Sequence, residues 1–230
     1  MKSFRKLMVL AMVALGVLIG VQSASHAAYI GLSFYDNLGN SLTVFDGGPG
    51  DSNTLTGVVT YVGPLGTGPW YLNVSTGQTY PNIGSQAAPN IDINTVNNSI
   101  GAGTLTILTS ASGFNPVLSG GASATLSAGG TTAGTVQFTA YWDNVPNYLF
   151  WTGYTPFLIT PGLTGPSFSG NFVGTAPAGA VDYTLAAQIV QNGTGSTGFN
   201  ASLAVPEPSV MLLLGAGLVG IWAFRKKFKK

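Results

Sequence analysis

Val181-Asp-Tyr-Thr-Leu-Ala-Ala-Gln-Ile189 alternates apolar and polar side chains along nine residues. Its odd-numbered positions are all apolar, whereas Asp182, Thr184 and Gln188 carry polar groups to the opposite side. A period of two is typical of a β-strand that is buried on one face only. The segment therefore predicts a strand whose odd-numbered residues enter a hydrophobic core.

The same alternation recurs on both sides of this segment. Residues 135–143 place Val136, Phe138, Ala140 and Trp142 on one face, and residues 104–107 alternate Thr with Leu and Ile. Further strands are predicted at 29–35, 41–46, 55–62, 69–75, 122–127, 147–152, 168–173 and 197–204. Gly, Pro, Asn and Asp separate them, as expected for a chain that reverses repeatedly.

Roughly ten short strands joined by such turns predict an all-β fold, an antiparallel β-sandwich or jelly roll. No 11-residue window of the body shows helical spacing that is free of Gly and Pro. The alternative is a Gly- and Ser-rich disordered stalk, which the many aromatic residues of the chain disfavour. We therefore expect a packed β-domain over residues 28–204.

Charged residues are few and unevenly placed. They make up 7% of the 230 residues, and no Lys or Arg occurs between residues 7 and 224. All seven acidic residues lie within that interval, so a processed body over residues 28–208 has a side-chain charge of 0 − 7 = −7. Because nucleic-acid binding depends on Lys and Arg at the phosphates, this composition excludes a nucleic-acid partner.

Catalytic chemistry is disfavoured by the same inventory. The chain has no Cys, and its single histidine, His26, lies in the N-terminal segment. General acid–base and nucleophilic catalysis usually need His, Lys or Cys, so we predict no enzyme activity, no catalytic residue and no cofactor. The aspartates give no sign of a glycosidase pair. Residues 46–53, Asp-Gly-Gly-Pro-Gly-Asp-Ser-Asn, lack the spacing of a calcium loop and are interpreted as a turn, so no metal site is predicted.

Aromatic residues cluster between positions 141 and 154. Trp142, Trp151 and Tyr154 are candidates for a platform that contacts a glycan. The competing interpretation is that the aromatic rings of this segment fill the core or pair across strands, and we favour it for the whole group. The residues on the face opposite Trp142 are then the ones to test for a glycan contact.

The N-terminus has the three parts of a secretory signal peptide. Lys2, Arg5 and Lys6 precede an apolar run over 7–21, and a segment of small and polar residues follows. Cleavage before Ala28 places small residues at −3 and −1, which predicts a signal peptide over 1–27. An uncleaved anchor is the alternative, but the apolar run is shorter than the ~20 residues of a typical span.

The C-terminal segment 205–230 combines three different pieces. Pro206-Glu207-Pro208 is followed by an apolar run over 209–224 and then by a basic end. As a helix the run is about 24 Å long at ~1.5 Å per residue, which predicts a short transmembrane helix; a buried core helix is the alternative. Under the positive-inside rule the basic residues form a cytoplasmic anchor. These residues are Arg225, Lys226, Lys227, Lys229 and Lys230.

Pro206-Glu207-Pro208, a glycine-containing short span and a basic end together resemble the PEP-CTERM sorting signal. The resemblance covers about 25 residues and is specific because all three parts occur in order. It implies a bacterium with an outer membrane and recognition by an exosortase, a membrane-embedded cysteine peptidase or transpeptidase. It also implies transient residence in the inner membrane, removal of the anchor near Pro-Glu-Pro, and transfer of the body to the cell surface or the extracellular matrix.

These observations support three hypotheses on function. The first is an exported, non-enzymatic protein with a structural role in biofilm or exopolysaccharide, which is the partner we expect after sorting. The second is a carbohydrate-binding module at the cell surface, and the third is a permanently anchored periplasmic protein.

Overall fold

The computed structural model describes residues 29–115, 121–145, 149–150, 153 and 156–206. All regular secondary structure in these ranges is β-strand. The strands are β1 (Tyr29–Asp36), β2 (Ser41–Phe45), β3 (Val58–Pro64), β4 (Trp70–Gln78), β5 (Asn90–Ser99), β6 (Gly103–Ser112), β7 (Ala122–Thr132), β8 (Thr135–Asp143), β9 (Leu158–Ile159), β10 (Leu163–Thr164), β11 (Phe168–Ala176), β12 (Asp182–Gln191) and β13 (Gly195–Ala204). The predicted all-β class is confirmed.

The strands form two antiparallel sheets that pack as a β-sandwich. Sheet A has the order β10-β8-β12-β6-β1-β2, and β9 also pairs with β8. Sheet B has the order β11-β7-β13-β5-β4-β3. Since every pairing between the described strands is antiparallel, the predicted antiparallel sandwich is confirmed as well.

Consecutive strands at the centre of the sandwich belong to different sheets. The chain crosses from sheet B to sheet A at 100–102 and again at 133–134, and it returns to sheet B at 192–194. As a result β5 contacts β6, and β12 contacts β13, across the core instead of pairing edge to edge. The central strands β6, β12 and β13 therefore find their hydrogen-bonding partners far away in the sequence.

The core lies between the sheets and contains the face predicted for residues 181–189. Tyr183, Leu185, Ala187 and Ile189 of β12 are each at most 1% exposed. Burying a Leu or Ile side chain stabilises a fold by about 1.5–3 kcal/mol, so this one strand contributes strongly. Phe138 of sheet A meets Phe199 of sheet B edge to face, with ring centroids 5.1 Å apart.

β5 is a strand that the sequence patterns do not predict. Its buried face includes the polar residues Thr95 and Asn97, both 0% exposed, whereas Val96 on its outer face is 39% exposed. The Thr95 hydroxyl hydrogen-bonds to the Ser75 hydroxyl at 2.7 Å and donates to Asn97 Oδ1 at 3.2 Å. These hydrogen bonds allow polar side chains to occupy core positions. At residues 95–97 the alternation of apolar inner and polar outer side chains is therefore reversed, so the sequence pattern does not indicate a strand.

Several predicted segments fall wholly or partly outside the described residues. Of the strand predicted at 147–152, Leu149 and Phe150 form a turn, so the prediction is wrong at these two positions, and the other four residues are not described. The predicted signal peptide and residues 207–230 also lie outside the described ranges. Within those ranges, no helix has the length and apolar character needed to cross a membrane.

Candidate functional site

The outer face of sheet A carries a group of aromatic side chains. One row across the sheet runs from Phe45 through Gly31, Ser110 and Thr184 to Tyr141, as the strand register shows. Side chains of alternate residues share a face, so Tyr29 and Tyr35 lie on the same side as Gly31. Phe150 covers Gly31 from the turn that follows β8. We call this group the aromatic face, and its members are Tyr29, Tyr35, Phe45, Tyr141 and Phe150.

Three of these rings are substantially open to solvent. Tyr29 is 50% exposed, Tyr35 42% and Phe45 36%. Tyr29 and Phe45 stack with ring centroids 5.7 Å apart, and Phe45 lies 5.9 Å from Phe150. Exposed aromatic groups of this kind mark interaction sites more often than isolated apolar residues do.

Gly31 makes room for the ring of Phe150. A Cβ atom at Gly31 would lie 2.7 Å from the Phe150 ring and 3.0 Å from the Phe45 ring, so a larger residue would displace the Phe150 ring. The Phe150 N–H donates to Ser110 Oγ at 3.1 Å, and Ser110 Oγ also lies 2.9 Å from Thr184 Oγ1. Two hydroxyls on the sheet thus fix the turn, although the backbone of Phe150 adopts φ of 63°.

Tyr141 lies on the aromatic face in the same cross-strand row as Gly31. Burial raises the pKa of Tyr141, the nearby Tyr35 phenol adds to that rise, and a hydrogen bond with the Thr139 side chain opposes it. Leu108 and Ala186 are only 5% and 8% exposed, although they lie on this outer face. With its pKa raised, the Tyr141 phenol stays protonated at physiological pH and can donate a hydrogen bond.

Neutral polar groups surround the rings. The hydroxyls of Ser33 and Thr43 are 3.0 Å apart and exposed, and Gln188 points to solvent from β12. Gln137 Nε2 donates to the Thr160 carbonyl at 3.0 Å, which holds the β9–β10 segment against β8. The face therefore presents hydroxyl and carboxamide groups between aromatic surfaces.

Asp143 and Asp182 lie directly opposite each other at one end of this face. The β8–β12 register pairs them, and they are 3% and 1% exposed. Asp143 Oδ1 accepts the Val145 N–H at 2.7 Å, and Asp182 Oδ1 accepts the Gly113 N–H at 3.2 Å. Sequence reasoning missed this pair because only the strand register brings the two residues together. Each carboxylate supports a neighbouring loop.

The aspartates at 46–53 hold a turn, as their sequence context predicts. Asp51 accepts backbone N–H groups from Gly47, Asn53 and Thr60 at 2.9–3.0 Å. Asp46 accepts the Gly57 N–H at 2.7 Å. Their carboxylate oxygens are thus engaged by main-chain donors. In the part of the chain that the structure describes, no group of three or more His, Cys, Asp or Glu side chains is placed to hold a metal ion.

Of the sequence-predicted glycan residues, Trp142 lies within the described residues, and it does not belong to the aromatic face. Trp142 is half-buried and packs against the hydrophobic core, in register with the buried Tyr183. Trp151 and Tyr154 lie outside the described residues. The neighbour of Trp142, Tyr141, occupies the outer face instead, and the alternation over 135–143 contains the signal that indicates it.

The predicted sorting residues begin where the sandwich ends. β13 ends at Ala204, the buried Val205 donates its N–H to the Pro89 carbonyl at 2.8 Å, and Pro206 is exposed. Glu207, Pro208 and the five basic residues of the C-terminus lie outside the described residues.

A second surface feature lies on the outer face of sheet B. It is a shallow cavity of about 290 Å³ over β7, β11 and β13. Gly129, Gly170, Ser127, Ser169, Asn171 and Asn200 contribute to its lining. Ser127 Oγ and Asn171 Oδ1 hydrogen-bond to each other at 2.6 Å, and none of these lining residues is aromatic.

Comparison with protein families identifies the C-terminal segment. Residues 204–227 match the family model described as the PEP-CTERM protein-sorting motif. The match confirms the resemblance seen in Pro206-Glu207-Pro208 and the apolar and basic residues that follow. It covers the tail and does not extend into the described sandwich, apart from the last residues of the body. No curated protein matches the chain in sequence.

Solved structures of similar shape match at low sequence identity. The K1 cleaved adhesin domain of Lys-gingipain from Porphyromonas gingivalis W83 is 12% identical, with a TM-score of 0.35 over 67% of this chain and 93% of that one. A carbohydrate-binding module from the β-sandwich superfamily is 11% identical, with a TM-score of 0.37 over 79% of this chain and 85% of that one. Similarity at these TM-scores carries no conclusion about the function of this chain.

Proposed function

We propose that this chain, which carries a PEP-CTERM sorting motif over residues 204–227, is an exported precursor that an exosortase delivers to the cell surface or the extracellular matrix. The motif is the observation that carries the proposal. The predicted signal peptide over 1–27 provides the export step, and the predicted helix and basic end provide a transient inner-membrane anchor. Processing near Pro206-Glu207-Pro208 then separates the β-sandwich from that anchor.

The end of the sandwich supports this order of events. Val205 is 2% exposed and hydrogen-bonded, whereas the next residue, Pro206, is exposed. Cleavage on the C-terminal side of Pro206 would leave β13 paired with β5 and β7. The body is thereby released as a folded unit.

After delivery, we propose a non-enzymatic structural role in biofilm or exopolysaccharide. Residues 29–206 contain no Lys, Arg, His or Cys. Their aspartates at 46 and 51 hold turns, and those at 143 and 182 support loops. The groups that usually carry acid–base or nucleophilic catalysis are absent from this body, which favours a structural or binding function.

Exchange of the motif residues tests the sorting step. In the double variant Pro206→Ala, Glu207→Ala we expect the full-length form to accumulate in the inner membrane of the native host, and the released form to disappear from the surface fraction. Pro166→Ala, which changes an exposed loop proline of the body, is the matched control and is released normally. Normal release of the double variant would refute the proposal.

Mass spectrometry of the mature protein separates sorting from permanent anchoring. The proposal expects a mature chain that has lost its basic end. A mature protein that retains Lys230 in the membrane fraction would instead favour a permanently anchored periplasmic protein.

Carbohydrate binding is the second candidate function. The observation that favours it is the exposed aromatic face on sheet A, where rings alternate with neutral hydroxyl and carboxamide groups. Of the residues first proposed from sequence, Trp142 packs against the core, and Trp151 and Tyr154 stay predictions.

A further inference from the structure

We infer that the aromatic face of sheet A binds a neutral saccharide chain through Tyr35, Tyr141, Tyr29 and Phe45. The inference rests on the proposed function for the place of action, a polysaccharide-rich surface, and on the geometry of sheet A for the site itself. The ring faces would stack on the C–H surfaces of pyranose rings, while the surrounding polar groups bind the sugar hydroxyls.

The composition of the aromatic face matches both the apolar C–H surface and the hydroxyl groups of a sugar ring. Saccharides present flat C–H surfaces that pack on aromatic rings and hydroxyls that need hydrogen-bond partners. The half-exposed rings of Tyr29, Tyr35 and Phe45 supply the first. Ser33, Thr43 and Gln188 supply the second, because hydroxyl and carboxamide groups both donate and accept.

Charge decides between a neutral and an anionic polymer. Residues 29–206 contain six aspartates and no Lys, Arg or His, so the described body repels anions. On the outer face of sheet A, the acidic members of the described strands are Asp143 and Asp182, and both are buried at one end. An anionic polysaccharide would meet no cation here, whereas a neutral one suffers no electrostatic penalty.

The dimensions indicate a chain of sugars rather than a single one. Tyr29 and Tyr35 are six residues apart on β1, which corresponds to about 20 Å at ~3.4 Å per residue. This distance exceeds the length of one pyranose ring. A ligand that contacts both ends of the face must therefore span several sugar units.

The face is also organised before any ligand arrives. Its rings stand on β1, β2 and β8 of a continuous sheet, and the Phe150 turn is fixed by Ser110. A site on rigid strands loses little conformational entropy on binding. The weak contacts that each sugar unit makes with the aromatic face can then add up along the polysaccharide.

Binding of defined polysaccharides tests the inference. The full-length protein, held in a detergent without a sugar headgroup, is run in affinity gels containing a soluble β-glucan, a galactomannan, a dextran or the anionic polymer alginate. We expect retardation by at least one neutral polymer and none by alginate. Free glucose should not compete, whereas oligosaccharides of the retarding polymer should.

Paired variants locate the site. Tyr35→Ala combined with Phe45→Ala should weaken retardation at least about tenfold, since aromatic anchors carry much of the binding energy of an interface. Tyr71→Ala is the matched control, because Tyr71 is 46% exposed on β4 of sheet B, and it should bind as the wild type does. Near-identical thermal unfolding of the variants shows that loss of binding is not loss of folding.

The remaining outcomes overturn the inference. The inference is refuted if alginate alone retards the protein, or if none of the four polymers does. It is also refuted if a polymer retards the double variant as strongly as the wild type. Sedimentation showing a dimer that the double variant abolishes, without polymer binding, would assign the face to a second copy of the chain. If the wild-type protein is released to the surface but binds no polymer, this inference is wrong and the proposed sorting stands. If the protein binds a polymer but is not released, the proposed sorting is wrong and this inference stands.

Discussion

Gly134 and Gly193 lie in two similar turns, yet the structure predicts opposite outcomes for their replacement by Ala. Each glycine belongs to a short connection that carries the chain between the sheets, 133–134 and 192–194. Neither has the positive φ that only glycine tolerates well. The difference lies entirely in the space that a methyl group would enter.

A methyl group at Gly134 collides with the main chain of β12. Its Cβ would overlap the Val190 carbonyl oxygen and would lie 3.0 Å from the Val190 carbonyl carbon and 3.2 Å from Gln191 Oε1. β12 cannot move freely, because it pairs with β6 on one side and β8 on the other. At Gly193 nothing lies within 4 Å of the added Cβ.

The loss of stability expected for Gly134→Ala follows from the contacts that the added methyl group would disrupt. Overpacking typically costs about 1–3 kcal/mol, and leaving a buried backbone group without its partner costs a further ~1–3 kcal/mol. The turn is also held by the Gly134 N–H, which donates to Thr132 Oγ1 at 3.0 Å. Thr132 in turn hydrogen-bonds to Thr197 at 2.8 Å. We expect Gly134→Ala to destabilise the sandwich by about 2–6 kcal/mol.

Gly193→Ala should be neutral or stabilising by up to about 1 kcal/mol, because Ala restricts the unfolded chain. Urea unfolding followed by tryptophan fluorescence measures both variants, and Trp70, which is 1% exposed, makes the signal sensitive to opening of the core. At ~2–4 °C per kcal/mol the melting temperature of Gly134→Ala should fall by about 4–24 °C. If the two variants unfold within ~0.5 kcal/mol of each other, the crossing geometry at 133–134 is wrong.

Three further predictions concern buried groups. Phe138→Ala should lower the unfolding free energy in a urea titration by about 3–5 kcal/mol, because Phe138 is 0% exposed and packs against Phe199. The control variant Val173→Ala changes a residue that is 73% exposed, and it should alter the unfolding free energy by less than ~0.5 kcal/mol. Tyr183→Phe should raise the unfolding free energy by about 1 kcal/mol, since the buried Tyr183 hydroxyl finds no partner among the described residues; a clear loss of stability would show that the hydroxyl is satisfied. Burial raises the pKa of Asp92, against opposing hydrogen bonds from Gln78 and Asn200, so the folded state holds that proton more tightly than the unfolded state does. The resulting stability is present below the unfolded pKa and is lost as pH rises through the folded pKa. Asp92→Asn should therefore raise the melting temperature at pH 7 more than at pH 3, and an equal change at both values would contradict the sign.

The turn at Asn192-Gly193 shows where local patterns stop being informative. Asn-Gly between two alternating segments is typical of a two-residue β-hairpin. In this fold β12 and β13 do not pair, because β12 is flanked by β6 and β8, and β13 by β5 and β7. Both edges of each strand are already occupied, so the chain crosses the core at that point.

The candidate site was predicted in part. The alternation over 135–143 indicates that Trp142 faces inwards and Tyr141 outwards, which the structure shows. The placement of Tyr141 and Tyr35 on one face, and the contact of Phe45 with Phe150, depend on which strands are neighbours in sheet A. Pairing of β1 with β6 and of β12 with β8 joins segments that no short-range pattern relates.

The amino-acid sequence alone determined three properties of this protein. The period of two in its strands gave the all-β class, and its composition gave the anionic, histidine-free body. A contiguous run of residues gave the PEP-CTERM motif. Each is local or additive along the chain, so it can be seen without knowing any contact. The tertiary structure alone decided the sheet order, the burial of β5 through its polar face, the pairing of Asp143 with Asp182, and the aromatic face. These depend on which strands share hydrogen bonds, and antiparallel pairing between distant segments is set by packing of the whole core rather than by either segment.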